Sequence, residues 1–165
     1  MEAHTTRPKI HETHASQTFL SFRLQGELFA LPVERVQEIL DPLPVTPVPQ
    51  SDQFVPGLVN VRGSIVPVVD LRHRLGMPSA APAADNRMIV LEANIDQIGS
   101  TKLALVADSV EQVLEIDGAT IEPVPEIGLR FPAQFLDGLA KRDGDLIIVL
   151  RTESVFMPAP SESKT

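Results

Sequence analysis

The feature that most restricts the fold of this chain is an internal echo. Offset by 74 positions, FALPVERVQEIL (29–40) lies ungapped against LALVADSVEQVL (103–114), matching Ala30 to Ala104, Leu31 to Leu105, Glu34 to Asp108 and Val36 to Val110. Offset by 76, Pro47-Val48-Pro49 meets Pro123-Val124-Pro125, and offset by 81, GLVNVRGSIVPVV (57–69) meets GLAKRDGDLIIVL (138–150). The order of segments is the same in both halves. A module of this length is too small to bury an adequate core alone, so two copies are expected to pack on a shared one.

The repeated unit is written in strands. FLSFRL (19–24) alternates, with Leu20, Phe22 and Leu24 on one face and Ser21 and Arg23 on the other, and Gln25-Gly26-Glu27 turns the chain into LFAL (28–31). GLVNV, SIVPVV, MIVLEA (88–93), TKLALVA (101–107), VEQVLEI (110–116) and DLIIVL (145–150) are further short Val/Ile/Leu-rich runs. PLPVTPVPQ (42–50) carries four prolines in nine residues, which excludes a central strand or helix interior and leaves an extended connector or an edge. SAAPAAD (79–85) reads as a surface loop. The expected class is all-β, as small barrels or a sandwich, with few short helices. The ordered unit spans 17–156, between a polar tail at 1–16 and a Pro/Ser-rich end at 157–165.

Several chemistries are disfavoured. With no cysteine there is no disulfide, thiolate metal site or cysteine nucleophile. A formal charge of −8 repels a phosphate backbone, and neither Trp nor Tyr is available for base stacking, which argues against an oligonucleotide-binding barrel, the alternative that small strand-rich domains suggest. His11, Glu12 and His14 fall one residue short of the helical zinc motif and lie in the tail, so no metal or other cofactor is expected. Asp70 and His73 are spaced to be neighbours on a short helix and would serve a small hydrolase, yet no marked nucleophile accompanies them. Asp70 has a simpler use as N-cap of a turn carrying Arg72, His73 and Arg74. The expectation is a non-enzymatic interaction module, without a secretory leader or bilayer-spanning run and therefore cytoplasmic.

The echo also isolates candidate functional residues. Gly63 and Gly144 occupy the same place between two strands, where a hairpin turn commonly requires a positive φ. Asn60 and Arg62 face Lys141 and Asp143 in the other copy, so any task they have is specific to the first copy.

LVNVRGSIVPVVDLR (58–72), preceded by VQEIL (36–40) and VPGL (55–58), resembles the CheW family of coupling proteins of bacterial chemosensory arrays, in which an Asn-x-Arg-Gly turn precedes an apolar strand ending in Asp-Leu-Arg. The resemblance covers 17–156 and implies two small SH3-like five-stranded β-barrels on a shared core. It implies a scaffold that binds the cytoplasmic signalling tip of chemoreceptors and the regulatory domain of the histidine kinase CheA, recruited to membrane-associated arrays without entering the bilayer. It also implies that Val36, Glu38, Gly57, Asn60, Arg62 and Gly63 face the receptor. It assigns no kinase contact by residue, although the edge near Val45 to Val48 is a candidate region. If 36–40 is a strand, Val36, Glu38 and Leu40 share a face, and Glu38 is expected to pair with Arg62.

Overall fold

The computed structural model describes residues 16–49, 53–95, 98–125 and 130–157. Eleven strands form two sheets among these residues. The first hairpin pairs β1 (Ser16–Leu24) with β2 (Glu27–Pro32). A 3-10 turn, Val33–Arg35, leads to β3 (Val36–Leu40), the short β4 (Val45–Pro47), β5 (Gly57–Val61) and β6 (Ser64–Val69). One helical turn, α1 (Leu71–Arg74), precedes a second, longer hairpin of β7 (Arg87–Ile95) and β8 (Gly99–Ala107). Then come β9 (Ser109–Asp117), β10 (Leu136–Arg142), β11 (Asp145–Leu150) and a last helical turn, α2 (Thr152–Val155). The Pro-rich stretch is an edge, one of the two forms its composition allows, because among the described residues β4 pairs with β5 alone. The expected tails lie outside the described residues, apart from Ser16, which opens β1, and Met157, which packs against the core.

The strand order shows how the two copies are combined. One sheet runs β10-β11-β2-β1-β9 and the other β3-β7-β8-β6-β5-β4. Each therefore takes its hairpin from one copy and its remaining strands from the other. The joins are parallel and equivalent: Val149 pairs with Ala30, and Val68 with Ala104. The same bulge recurs, with the register slipping between Val36 and Glu38 where β3 meets β7, and between Ser21 and Phe22 where β1 meets β9. In the second case the slip leaves main-chain groups to a side chain. Ser21 is fully buried, its Oγ donating to Gln112 O at 3.0 Å and accepting from Gln112 N at 3.2 Å.

Three hairpins close through two-residue turns with both residues left-handed: Gln25 and Gly26 (φ 53° and 81°), Arg62 and Gly63 (52° and 89°), Asp143 and Gly144 (53° and 84°). This geometry matches the twist of the flanking strands, and glycine at the second position adopts it without steric cost.

Strand parity divides the core into three. Leu20, Phe22, Leu24, Phe29 and Leu31 point between the sheets and meet Ile89, Leu91, Leu103 and Leu105 from the other hairpin. Each residue of this kind contributes roughly 1.5–3 kcal/mol when fully buried. The opposite parity fills each sheet's own interior: Phe19, Leu28, Ala30, Leu114 and Ile147 in the five-stranded sheet, and Val59, Val61, Val66, Met88 and Val90 in the six-stranded one. Both sheets thus curl around private cores while sharing a third. This is the expected mainly-β pair of SH3-like units, with one sheet gaining a sixth strand because β4 is added at its edge.

Candidate functional site

The curl of each sheet brings strands from its two ends together, and in both cases an arginine spans the gap. In the five-stranded sheet, Arg142 Nη1 at the end of β10 donates to Glu115 O on β9 at 2.6 Å. In the six-stranded sheet, Arg62 at the β5–β6 turn reaches Glu38 on β3: Nη2 donates to Oε1 at 2.8 Å, and Nε lies 3.3 Å from both carboxylate oxygens. The expected pair is formed, and it bridges two strands that the hydrogen-bond ladder leaves apart. The Arg62 side chain is 78% exposed and that of Glu38 28%. The hydrogen bond from Arg62 holds the Glu38 carboxyl below its ordinary pKa against an opposing desolvation, with smaller help from the charges of Arg62 and Lys102. The same hydrogen bond, then the Glu38 charge, raises the Arg62 guanidinium.

The other four candidate residues have structural work. Gly57 is not a turn glycine. It opens β5 directly beneath β4, where an added Cβ would lie 2.5 Å from Thr46 O and 2.6 Å from Val45 Cγ1. Gly138 repeats this in the second copy, 2.5 Å from Glu122 O and 2.6 Å from Ile121 Cγ2. Asn60 Oδ1 accepts from Gly63 N at 2.8 Å, so Asn60 caps its own turn, while Gly63 supplies the left-handed second position. Val36 is half-buried against the shared core. Val36, Glu38 and Leu40 do share a face, with Gln37 and Ile39 turned outward.

Sequence reasoning overlooked exposed Ile65 and Ile39 on this sheet and named Val45 only as part of a candidate kinase edge. Ile65, 62% exposed, stands opposite Asn60 in the β5–β6 register, and Ile39 and Val45 are also exposed. Parity within SIVPVV carries the signal: Val66 and Val68 point inward, so Ile65 and Pro67 must point out.

The Asp70 and His73 pair does not form the arrangement a hydrolase needs. Asp70 Oδ1 accepts from the main-chain N of His73 at 3.2 Å, as an N-cap does, and His73 is exposed. The arginines beside it are the structural residues. Arg72 pairs with Asp108 and donates to Gln25 Oε1 at 3.3 Å. Arg74 stacks over Phe54 at 3.7 Å, with Phe135 at 5.1 Å, and donates to Val155 O at 3.0 Å and Met157 O at 2.8 Å at the end of α2. Among the described residues no group of three or more His, Cys, Asp or Glu is placed to hold a metal ion, and no helix is long and apolar enough to cross a membrane.

Comparison with known proteins agrees with this architecture. The family profile described as the CheW-like domain matches residues 18–157. The chemotaxis protein CheW of Rhizobium meliloti (strain 1021) is 32% identical over 159 residues, covering 96% of this chain and 97% of its own. Protein FrzA of Myxococcus xanthus is 30% identical over 134 residues, covering 81% of this chain and 80% of its own. Among solved structures, the scaffolding protein TtCheW from Thermoanaerobacter tengcongensis superposes with a TM-score of 0.75 at 31% identity, covering 87% of this chain and 89% of that one. Two curled sheets on a shared core, a surface arginine fixed by a carboxylate across the sheet ends, and relatives matched over nearly their whole length give one conclusion: this chain belongs to the CheW-like domain family of chemotaxis coupling adaptors.

Proposed function

We propose that this chain couples chemoreceptors to a CheA-type histidine kinase in a bacterial chemosensory array, and that the face built around Glu38 and Arg62 receives the receptor's cytoplasmic signalling tip. The observation that carries this reading is the placement of Arg62. Its turn is made equally well by Asp143 in the second copy, so the guanidinium is not needed for the hairpin, yet Glu38 holds it in one orientation at an exposed tip. A fixed cation on the hairpin that exposes Ile65, with Val45 exposed on the adjoining β4, suits a helical partner gripped by apolar contact and one polar anchor. Glu38 and Arg62 are the contacting groups in this reading. Asn60 and Gly63 shape the turn, Gly57 seats β4, and Val36 joins the face to the shared core. The kinase regulatory domain occupies a separate surface, and receptor binding is what recruits the adaptor to the array.

Pull-down of purified chain with a receptor signalling fragment and a kinase regulatory domain tests this. Arg62→Ala should melt with the wild type but recover less receptor and less ternary complex. Equal recovery would overturn the assignment.

A further inference from the structure

The chain passes between the sheets twice, from β2 to β3 through Val33–Arg35 and from β8 to β9 through Asp108. The repeat makes these crossings equivalent: Glu34 stands where Asp108 stands, and Glu153 on α2 stands where Arg72 stands on α1. Their chemistry is opposite. At the β8–β9 crossing, Asp108 N donates to Arg23 O at 2.9 Å, and its carboxylate accepts from Gln25 N at 2.7 Å and from Arg72. The Arg72 side chain is only 12% exposed. Arg23 and Gln25 belong to the five-stranded sheet and Arg72 follows β6 of the other, so these bonds pin sheet to sheet.

At the β2–β3 crossing, Glu34 and Glu153 line one cleft of about 200 Å³ together with Arg35 and Asp137. Asp137 is taken by Arg151 at 3.1 Å, and among the described residues no salt bridge includes Glu34, Glu153 or Arg35. Where one crossing has an ion pair, the other has two carboxylates.

We infer that the two sheets, tied through Arg74 of α1 to the end of α2, are joined by an asymmetric hinge, with a further latch of Arg72, Asp108 and Gln25 at the β8–β9 crossing and, among the described residues, no matching ion pair at the β2–β3 crossing, so that relative motion opens on the Glu34 and Glu153 side. One step further rests on the coupling role proposed above: the hinge is the two-state element through which a partner on one sheet biases a partner on the other.

Amide hydrogen exchange on the full chain tests the hinge without any partner. Glu153→Arg places a guanidinium opposite Glu34 and should slow exchange across 34–36 by roughly tenfold while leaving Asp108 and Ser109 unchanged, since protection follows the free energy of local opening. Arg72→Gln should speed exchange at Gln25 and Asp108 by a similar factor. No slowing in Glu153→Arg would overturn the hinge, and so would unchanged exchange in Arg72→Gln, which stands on its own if the first variant does not fold. For the coupling step, Glu153→Arg should bind receptor fragment and kinase domain singly as the wild type does, but lose the enhancement of one by the other. Slowed exchange with full enhancement would overturn the coupling step and support the hinge. Failure of wild type to bind either partner would instead overturn the coupling function.

Discussion

Gly57→Ala separates architecture from recognition. The new methyl would lie 2.5 Å from Thr46 O and 2.6 Å from Val45 Cγ1. The Val45 side chain can rotate, but the Thr46 carbonyl is main chain. Carbon-to-oxygen contacts settle near 3.3–3.6 Å, so β4 must retreat by about 0.8–1.1 Å. That retreat pulls on the pairings of Val45 with Val59 and of Pro47 with Gly57, and on the Val48 N to Pro56 O bond at 3.2 Å. Overpacking of this kind costs about 1–3 kcal/mol. For a chain of this size a loss of about 2 kcal/mol lowers Tm by roughly 4–8 °C. Gly138→Ala is the matched control, because its methyl would meet Glu122 O at 2.5 Å and Ile121 Cγ2 at 2.6 Å in the other sheet. Scanning calorimetry should show similar losses for both variants. Receptor-fragment titration at a temperature where both are folded should show weaker binding only for Gly57→Ala, which displaces Val45 beside the Arg62 face. A Gly57→Ala protein melting within a degree of wild type would refute the close-approach argument, and equal loss of binding in the two variants would refute the assignment of the receptor face.

The Glu38 carboxyl, followed by NMR, should titrate below the ordinary glutamate value and move back toward it in Arg62→Ala. Because its folded pKa is depressed, the small contribution of this exposed pair is present above the ordinary value and is lost as pH falls through the folded one, so the near-coincident melting of wild type and Arg62→Ala should become coincident in acid. Ser21→Ala removes the two hydrogen bonds that the buried Ser21 hydroxyl makes with the main chain of Gln112 and should lower stability by about 1–3 kcal/mol in urea, and an unchanged midpoint would refute this. Arg74→Met should cost about 1.5–3 kcal/mol through the unsatisfied carbonyls of Val155 and Met157. Arg74→Lys should recover only part, since an ammonium cannot stack flat over Phe54 while reaching both; full recovery would show that charge alone suffices.

Strands were legible here because parity is a local property: the alternation in FLSFRL assigns Leu20, Phe22 and Leu24 to the shared core whatever they face. The left-handed glycines were legible for the same reason, and so was the Glu38 and Arg62 pair once the family resemblance placed both on one face. Which hairpin joins which sheet was not legible. Both hairpins present equivalent apolar faces, so the repeat permits either pairing, and only packing of the whole chain decides between them. The structural demand for glycine at position 57 was not legible, because a close approach by β4 leaves no mark in the sequence around it. The Arg72 and Asp108 latch joins residues in different segments, and the ungapped likeness of the copies stops at Val69 and Leu150, short of Arg72 and Glu153.

The exchange of hairpins sets an order of events on the ribosome. The six-stranded sheet is drawn from one continuous stretch, β3 to β8, whereas the five-stranded sheet is split, with β1 and β2 made first and β9 to β11 made last. The first hairpin to emerge must therefore wait for nearly the entire chain before its neighbours exist. Pairings at such sequence separation form slowly and leave apolar edges uncovered in the interval. A nascent chain stalled after β8 would hold every strand of the six-stranded sheet beside an orphaned hairpin, and protection of β1 from a protease should appear only after β9, its pairing partner, has been synthesised.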